Sequence, residues 1–310
     1  MINLILSIFF TLLEFNCENL FDCQHDEGHQ DYEYLADGVR HWTRHKYWKK
    51  LDDVSRVIVS SAEASGRLPD LVALCEVEND SVMECLSRRS LLHGAGYQYL
   101  MTTSRDVRGI DVALLYQPVS FLPVRHYSMR VDLGKGTRPT RDILYVAGRM
   151  VTGDTLHVFV VHAPSRLGGA KASASNRMKV AERLVQAADS IRLLSPLAHI
   201  VVAGDFNDEA ADESIVYLGM HGLKDVAPLT DKSAEAQGSY RYKGHWQTID
   251  HVLVSERMET NVIGCRIHAL PYMLEPDPTY GGVRPKRTYW GGRYLGGCSD
   301  HLPLLLQMKF

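Results

Sequence analysis

Short apolar runs bounded by turn-forming residues recur along the chain. Seven of them span residues 71–75, 112–116, 143–147, 156–161, 199–203, 252–254 and 302–306. Their shortness and their content of β-branched residues are typical of buried β-strands rather than of helices. The pattern therefore predicts a protein that is rich in short strands.

Two longer segments show the spacing of three and four residues that places apolar side chains on one face of a helix. The first begins after Thr43, a residue type that is favoured at helix N-termini. Its apolar positions are Trp48, Leu51, Val54 and Ile58. The apolar positions of the second are Val180, Leu184, Ala187, Ile191 and Leu194. Helices interspersed with both adjacent and separated strands indicate layered α/β packing.

The N-terminal segment is open to two interpretations. Residues 2–13 are apolar, too few to span a bilayer and about as many as the core of an export signal. The segment lacks a basic start and a small-residue cleavage site. Residues 1–12 are therefore either a remnant of an export signal or an extension of the first strand, and the localisation is open between exported or periplasmic and cytoplasmic.

No repeat or low-complexity linker divides the remaining sequence, which predicts one domain over residues 13–310. Segments 132–140 and 275–297 are rich in glycine, proline and basic residues, and we expect both to be surface loops.

Composition narrows the function classes. The chain has 34 basic and 37 acidic residues among 310, a net charge of −3, whereas a dedicated nucleic-acid binder usually carries a basic excess. A local basic cleft remains compatible with these numbers. The six cysteines include no C-x-x-C pair, which argues against a cysteine-ligated metal.

Acids and histidines fall where the apolar runs begin or end. They are Glu76, His162, Asp205 with Asn207, Asp250 with His251, and Asp300 with His301. One such aspartate is usually a turn or helix cap, and one histidine is usually a satisfied core or surface residue. Five placements together favour a shared site, because these groups are costly to bury unless they are paired or metal-bound and α/β folds assemble sites at strand ends.

Five segments around these residues also carry a family resemblance. They are residues 14–21 (EFNCENLF), 74–79 (LCEVEN), 204–207 (GDFN), 249–253 (IDHVL) and 299–303 (SDHLP). In this order they resemble the signatures of the endonuclease/exonuclease/phosphatase superfamily, which includes pancreatic-type deoxyribonuclease, repair exonucleases and inositol polyphosphate phosphatases. The resemblance runs from about Leu13 to the C-terminus.

The resemblance implies an α/β (α+β) fold, a four-layered sandwich of two mixed β-sheets flanked by helices, like that of deoxyribonuclease I. It also implies a metal site at one edge of the sandwich. Glu76 would be the principal Mg²⁺ ligand, Asn16 would help to fix the site or its waters, and Asp300 would lie on the metal side. Oxygen ligands of this kind suit Mg²⁺, with Mn²⁺ as a substitute.

The catalytic roles implied by the resemblance fall to five residues. Asp205 would orient or deprotonate the attacking water, and Asn207 would donate to the phosphoryl oxygens. His301 would contact the scissile phosphate, and Asp250 would orient it and raise its pKa. His162 would protonate the leaving oxygen. Because no carboxylate neighbours His162 in the sequence, we expect its pKa to be close to the ordinary value.

Three arginines are candidates for substrate binding. Residues 162–169 (HAPSRLGG) resemble the H-x-P-S-R-x-G-G motif of a bacterial branch of the superfamily, which makes Arg166 a candidate phosphate clamp. Arg141 occupies a position where the deoxyribonuclease branch places a phosphate-contacting arginine, and Arg108 precedes the strand at residues 112–116. The alternative for each is a solvated surface charge.

The sequence thus predicts a Mg²⁺-dependent hydrolase of phosphate esters, monomeric and without a stable protein partner. The first hypothesis is a phosphodiesterase or endonuclease-like enzyme that acts on a phosphate-ester substrate such as a nucleic acid. The second is a phosphomonoesterase or phosphodiesterase for a small inositol- or lipid-derived substrate, which the mild acidity favours. The part of the chain that most resembles a nucleic-acid-binding surface is the basic and aromatic stretch at residues 284–294. A non-catalytic binding module is the third, although Glu76, Asp205, Asn207 and His301 are all present.

Overall fold

The computed structural model describes residues 8–166, 168–228 and 234–310. Strands β1–β9 are Phe9–Leu20, Leu71–Val77, Gln98–Met101, Asp111–Tyr116, Phe121–Met129, Ile143–Met150, Thr155–His162, His199–Asp205 and Leu223–Asp225. Strands β10–β18 are Tyr240–Tyr242, His245–Gln247, Asp250–Ser255, Val262–Ile267, Leu274–Pro276, Val283–Pro285, Tyr289–Trp290, Arg293–Tyr294 and Leu304–Lys309. Helices α1–α4 are Arg44–Ser65, Asp80–Arg88, Ala170–Leu194 and Glu213–Met220. Three short 3₁₀ helices span Tyr32–Tyr34, Glu256–Asn261 and Pro271–Met273.

Two six-stranded mixed sheets form the centre of the fold. The first sheet has the strand order β13-β18-β1-β2-β4-β3, and the second has the order β5-β6-β7-β8-β12-β9. Their facing sides share one core, in which Leu12 and Ala73 of the first sheet belong to the same cluster as Val158 and Val201 of the second. The central strands are apolar on both faces because each sheet is covered on its other side as well.

Helices cover the two outer faces. Leu13 and Phe15 of β1 belong to the cluster that holds Val54 and Ile58 of α1. On the other side, Phe159 and Val161 of β7 share a cluster with Leu184 of α3. The predicted four-layered sandwich of two mixed sheets flanked by helices is thereby confirmed.

The first predicted helix is confirmed as α1, with Thr43 at its N-cap and Gly66 in the left-handed conformation that ends many helices. The second lies within α3, where Val180 and Leu184 are buried as expected. Leu194 belongs to the helix as predicted but is 91% exposed. Leu194 is the last residue of α3, so it lies beyond the part of the helix that packs against the sheet.

Strand boundaries depart from the apolar runs near the carboxyl terminus. The final strand, β18, begins at Leu304 rather than at residue 302, and the intervening Pro303 has no N–H with which to join the ladder. Segment 275–297 was predicted to be a loop, but it contains the hairpins β14–β15 and β16–β17 and buries Tyr289. These strands are only two or three residues long, too short to show a strand pattern.

Of the N-terminal segment, residues 9–12 form the start of β1, which pairs with β18 and with β2. Residues 1–7 are outside the described part of the chain. Across the described residues, the helices are all either too short or too polar to cross a lipid bilayer.

Candidate active site

Three polar residues lie side by side across the second sheet. His162 at the end of β7 is in register with Asp205 at the end of the parallel strand β8. Asp205 is in turn opposite Asp250, the first residue of the antiparallel strand β12. Since residues in register on neighbouring strands share one face of a sheet, strand pairing alone brings these three side chains together.

His301 joins this row from the segment before β18. Its Nδ1 lies 2.8 Å from Asp250 Oδ2 and 3.1 Å from Oδ1, and both residues are buried. Burial opposes the charged ring, but the Asp250 carboxylate outweighs it and holds the pKa of His301 well above its usual range. Asp250 therefore orients the imidazole of His301 and favours its charged form, the direction expected from the sequence.

Glu76 enters from the first sheet at an irregular point of β2, where the pairing with β1 and β4 shifts register. Its φ of 61° is the left-handed conformation, which costs a non-glycine residue roughly 1–3 kcal/mol. Its Oε2 accepts a hydrogen bond from the Asn19 backbone N–H at 2.8 Å. Its Oε1 lies 3.7 Å from His162 Nε2, so this oxygen faces the other site residues without a direct hydrogen bond to the histidine.

Asn16 connects the two sheets at the site. Its Nδ2 in β1 donates to Asp205 Oδ2 in β8 at 3.0 Å, while its Oδ1 accepts from the Glu18 N–H. The other oxygen of Asp205 accepts from the Asn207 N–H at 2.8 Å. Burial, reinforced by the neighbouring Asp250, raises the pKa of Asp205 to about 7. Each oxygen of this carboxylate thus accepts a hydrogen bond, and its pKa lies close to neutral pH.

His162 differs from its prediction. Its Nε2 lies 3.6 Å from Asp205 Oδ2 and 3.7 Å from Glu76 Oε1, and its buried Nδ1 has no hydrogen-bond partner among the described residues. Burial lowers the pKa of His162 well below its usual value, and the cations Arg141 and Arg108 add to the effect. The expectation of an ordinary pKa was wrong, because its environment comes from residues that are distant in sequence. Burial therefore favours the neutral form of the ring.

The three candidate arginines take different positions. Arg108 and Arg166 line the cleft; Arg166 donates to the Asn207 carbonyl at 2.6 Å, and Arg108 lies 4.0 Å from Glu76 Oε1. Arg141 is only 7% exposed, donates to the Ala163 carbonyl at 2.6 Å, and does not line the cleft. Its guanidinium therefore supports the backbone next to His162, and a direct contact between Arg141 and substrate stays a prediction. Leu167 of the 162–169 motif is outside the described residues.

Two further charged residues reach the site, although neither was assigned to it from the sequence. Glu18 is buried, accepts from the Thr288 N–H at 2.6 Å and lies 3.4 Å from Arg287 Nε. Arg287 also donates to Asp300 Oδ2 at 2.5 Å. Burial raises the pKa of Glu18 to about 7, and Asp300 adds to this effect. The EFNCENLF segment contains Glu18, but only the fold reveals that its side chain lies beside Asp300.

Most of these side chains border one cleft of about 720 Å³, a size within the range of small-molecule sites. The predicted residues that line it are Glu76, Arg108, His162, Arg166, Asp205, Asn207, Asp300 and His301. Asp250 lies behind His301, and Asn16 lies behind Asp205. Glu18, Tyr240 and Arg287 also line the cleft and were not assigned to the site from sequence.

The side chains of the cleft fit a hard divalent cation. The carboxylates of Glu18, Glu76, Asp205 and Asp300 outnumber the arginines beside them, and the described residues that line the cleft include no thiol. Asp205, Asp250 and His301 also have potential ligand atoms within 4.8 Å of one another. That trio is better explained as an Asp–His pair next to a carboxylate, since His301 Nδ1 is occupied by Asp250. Glu76 Oε1 is the better placed oxygen for a cation.

A family model described as the endonuclease/exonuclease/phosphatase family matches residues 11–310 of this chain. A search of curated protein sequences gave no match.

Solved structures extend the similarity over nearly the whole chain. An endonuclease/exonuclease/phosphatase from Bacteroides vulgatus is 15% identical with a TM-score of 0.60, covering 97% of this chain and 98% of that one. A mannosyl-6-phosphatase from Bacteroides thetaiotaomicron is 17% identical with a TM-score of 0.61, covering 96% and 98%. The human Nocturnin catalytic domain, solved with bound sulfate, is 18% identical with a TM-score of 0.56, covering 97% and 96%. At these identities the similarity concerns the fold.

Proposed function

This chain belongs to the endonuclease/exonuclease/phosphatase family, and we propose that it is a divalent-metal-dependent phosphodiesterase or endonuclease-like hydrolase. In the proposed reaction, a water oxygen attacks phosphorus, a P–O bond to the leaving group breaks, and one proton passes from the water to the departing oxygen. The observation that carries the proposal is the single cleft that brings Glu76, His162, Asp205 and His301 together.

Asp205 is the residue best suited to accept the proton of the attacking water. Its carboxylate is fixed by Asn16 and by the Asn207 N–H, and its pKa of about 7 matches the working range of a general base at neutral pH. Its position beside both histidines places it between the groups that would contact the phosphate.

His301 and Asn207 are suited to stabilise the charge that develops on the phosphoryl oxygens. The imidazolium of His301 faces Asp205 with its Nε2, 4.0 Å from Oδ2, because Asp250 holds the opposite nitrogen. The Asn207 amide donates to the Ala163 carbonyl at 3.2 Å, which leaves its second N–H for a ligand.

His162 is suited to assist the leaving oxygen. The neutral ring takes up a proton on Nε2 when the anionic phosphate lies beside it, because a negative charge favours the imidazolium. The imidazolium passes that proton to the leaving oxygen as the P–O bond breaks and returns to the neutral ring. In an in-line displacement the entering and leaving oxygens lie on opposite sides of phosphorus, so the two histidines serve different oxygens.

Mg²⁺, or Mn²⁺ in its place, would be held by Glu76 and Asp300, with Asn16 beside them. When bound, such an ion polarises phosphoryl oxygens as a Lewis acid. Glu76 is strained into the left-handed conformation with one oxygen free to face the cleft, which supports this assignment. Arg287 donates a hydrogen bond to Asp300 Oδ2 and so orients this carboxylate.

A phosphomonoesterase or phosphodiesterase for a small inositol- or lipid-derived substrate is the second candidate. Two observations favour it: the volume of the cleft and the absence of a basic excess in the chain. The stretch at residues 284–294 offers less nucleic-acid surface than its composition suggests, because Tyr289 is buried and Arg284 pairs with Glu275.

A panel of substrates with Mg²⁺ tests the proposal and separates the candidates. It comprises plasmid DNA, RNA, bis-p-nitrophenyl phosphate, inositol phosphates and sphingomyelin, each measured with the wild type and with His301→Ala. We expect hydrolysis of plasmid DNA, RNA or bis-p-nitrophenyl phosphate that the His301→Ala protein does not catalyse. Turnover of inositol phosphates or sphingomyelin alone would favour the second candidate. No turnover across the panel would contradict the proposed function.

A further inference from the structure

A second, smaller pocket adjoins the cleft. It has a volume of about 160 Å³ and is bordered by Glu18, Asn19, Tyr34, Arg40, Arg287 and Tyr289. Glu18, Asn19 and Arg287 line the large cleft as well, so the two cavities are neighbours separated by shared side chains. Because liquid water occupies about 30 Å³ per molecule, this pocket has room for one phosphate- or carboxylate-sized group with some water.

Arg40 is held rigidly at this second pocket, which we call the Arg40 pocket. Its guanidinium carbon lies 5.1 Å from the Tyr34 ring centre and 4.9 Å from that of Tyr289. The Arg40 carbonyl accepts hydrogen bonds from Tyr289 Oη at 2.7 Å and from Lys46 Nζ at 3.1 Å. Backbone and side chain are both fixed, so little conformational freedom would be lost on binding a ligand.

The guanidinium of Arg40 is only partly engaged. Its Nε donates to Glu33 at 2.8 Å, and its Nη1 has a long contact of 3.4 Å with the Gly291 carbonyl. A guanidinium has five N–H groups, so three remain without an acceptor among the described residues. Such a planar, weakly hydrated donor set matches the oxygens of phosphate and carboxylate groups.

The lining of the pocket contains two guanidinium groups and one carboxylate, and Glu33 and Asp300 pair with the two arginines from outside the lining. Arg287 is the second guanidinium of its lining, and Lys46 Nζ lies 5.7 Å from the Tyr289 ring centre. The Glu18 carboxylate in the same lining is already taken up by the Thr288 N–H and by Arg287. The two arginines therefore outnumber the acidic side chain that borders the pocket.

We infer that the Arg40 pocket binds a second, terminal anionic group of the substrate while the scissile phosphate occupies the large cleft. The inference rests on the proposed function and deepens it: the substrate would be a small phosphate ester with a phosphate or carboxylate at its far end. The shared chemistry of the two groups is a set of anionic oxygens that accept from a guanidinium. The bounded volume of the pocket favours a terminal group over a continuing chain.

Non-hydrolysable ligands test this inference without requiring turnover. Alkane-α,ω-diyl bisphosphonates of three to six carbons are compared with the alkylphosphonates of equal length by isothermal titration calorimetry of the full chain with Mg²⁺. ω-Phosphonocarboxylates of the same lengths distinguish a second phosphate from a carboxylate. The variants are Arg40→Gln and Arg40→Lys. Arg125→Gln is the matched control, because Arg125 also packs on a tyrosine, 5.3 Å from the Tyr127 ring, but does not line the cleft or the Arg40 pocket.

For at least one chain length, the doubly anionic ligand should bind the wild type about tenfold more tightly than its singly anionic counterpart, a free-energy gain of about 1.4 kcal/mol. Arg40→Gln should bring that ratio close to one, Arg40→Lys should keep part of it, and Arg125→Gln should leave it as in the wild type. A gain with either second group supports the inference and identifies the group.

A ratio near one at every length in the wild type would overturn the inference, as would an unchanged ratio in Arg40→Gln. Thermal melting of the variants verifies that they fold, and a folded Arg40→Lys protein keeps the comparison valid if Arg40→Gln does not fold. Because binding is measured on inert phosphonates, a failure of the proposed function would appear separately, as the absence of hydrolysis in the substrate panel.

Discussion

The Nδ1 of His301 lies 2.8 Å from the Oδ2 of Asp250, although the two residues are 51 positions apart in the chain. The segment that carries His301 bridges to Tyr240, and the Tyr240 ring lies 4.9 Å from the imidazole. Asp250 is fixed independently, since β12 pairs with β8. The orientation of His301 is therefore set by two separate elements. Loss of the Asp250 carboxylate should change the position of the imidazole that lines the cleft.

Asp250→Asn should reduce kcat by about 10³-fold or more, by analogy with catalytic histidines that lose their orienting aspartate. His301 should also lose its imidazolium form near neutrality, because burial of the ring remains while the compensating charge is gone. Steady-state kinetics and ¹⁵N spectra of the labelled histidines measure the two effects.

Asp225→Asn is the matched control for Asp250→Asn. Asp225 also pairs with a buried histidine, 2.7 Å from His251 Nδ1, but neither residue lines the cleft. This variant should lose stability and keep kcat within about threefold of the wild type. Equal losses of kcat in the two variants would show that Asp250 acts through stability alone.

His162→Ala should lose about 10²-fold or more in kcat on an alkyl phosphate ester, whose poor leaving group needs a proton. On the p-nitrophenyl ester, whose leaving group hardly needs one, the loss should be much smaller. His301→Ala should be severe on both esters, since charge on the phosphoryl oxygens must be stabilised whatever departs.

His162→Gln tests whether the ring supplies a hydrogen bond alone or a proton as well. An amide N–H donates a hydrogen bond but transfers no proton, so this variant should recover only part of the loss on the alkyl ester. Equal losses for His162→Ala on both esters would remove His162 from the leaving-group role and make it a phosphate contact.

Glu76→Gln should weaken Mg²⁺ binding by about 10²-fold, because a neutral amide replaces the charged oxygen that faces the cleft. Calorimetric titration with Mg²⁺ and Mn²⁺ measures the affinity directly. Glu84→Gln serves as the control, since its side chain on α2 is 55% exposed and does not line the cleft. Wild-type affinity in Glu76→Gln would place the metal elsewhere.

The free energy of unfolding should fall in acid because the buried His268 resists protonation in the folded protein. This buried residue lies 3.0 Å from Ser60 Oγ, and burial lowers the pKa of His268 to about 4. In the unfolded chain His268 has an ordinary pKa of about 6.5, so it binds a proton there at a higher pH than in the folded protein. The contribution of neutral His268 to the free energy of unfolding is therefore fully present above about pH 6.5 and is lost as the pH falls towards 4. Between pH 6.5 and 5 the loss should reach about 2 kcal/mol.

Urea unfolding at pH 7 and pH 5 measures this loss, with His268→Gln as the comparison. The glutamine variant should be less stable at pH 7 and should show a smaller decline between the two values. An equal decline in both proteins would assign the acid sensitivity to other groups.

The signatures in the sequence predicted most of the cleft because each lies at the start or end of a strand, or at an irregular point within one. His162, Asp205 and Asp250 are in register across neighbouring strands. Predicting where these strands end was therefore almost enough to predict the site. The apolar runs also predicted the sandwich, since its central strands are apolar on both faces.

Residues whose roles depend on backbone turns or on distant contacts were not predictable in this way. Glu18 and Asn19 reach the cleft because both adopt positive φ, which no local pattern indicates. Arg287 lies in a segment that was interpreted as a loop, and short hairpins direct it to Asp300. The pKa of His162 depends on burial and on Arg141, whose guanidinium is turned towards the Ala163 carbonyl instead of the cleft.

Hydrolysis before and after metal removal tests the central claim, a metal-dependent phosphoesterase site at Glu76, most directly. Wild-type protein is dialysed against EDTA, freed of chelator and assayed on its best substrate from the panel, alone and with Mg²⁺ or Mn²⁺ restored. A Glu76→Gln preparation purified in parallel reports any contaminating phosphatase. Turnover should vanish on chelation, return with either ion in the wild type, and stay absent in Glu76→Gln. Undiminished turnover by the exhaustively chelated wild type would contradict the account.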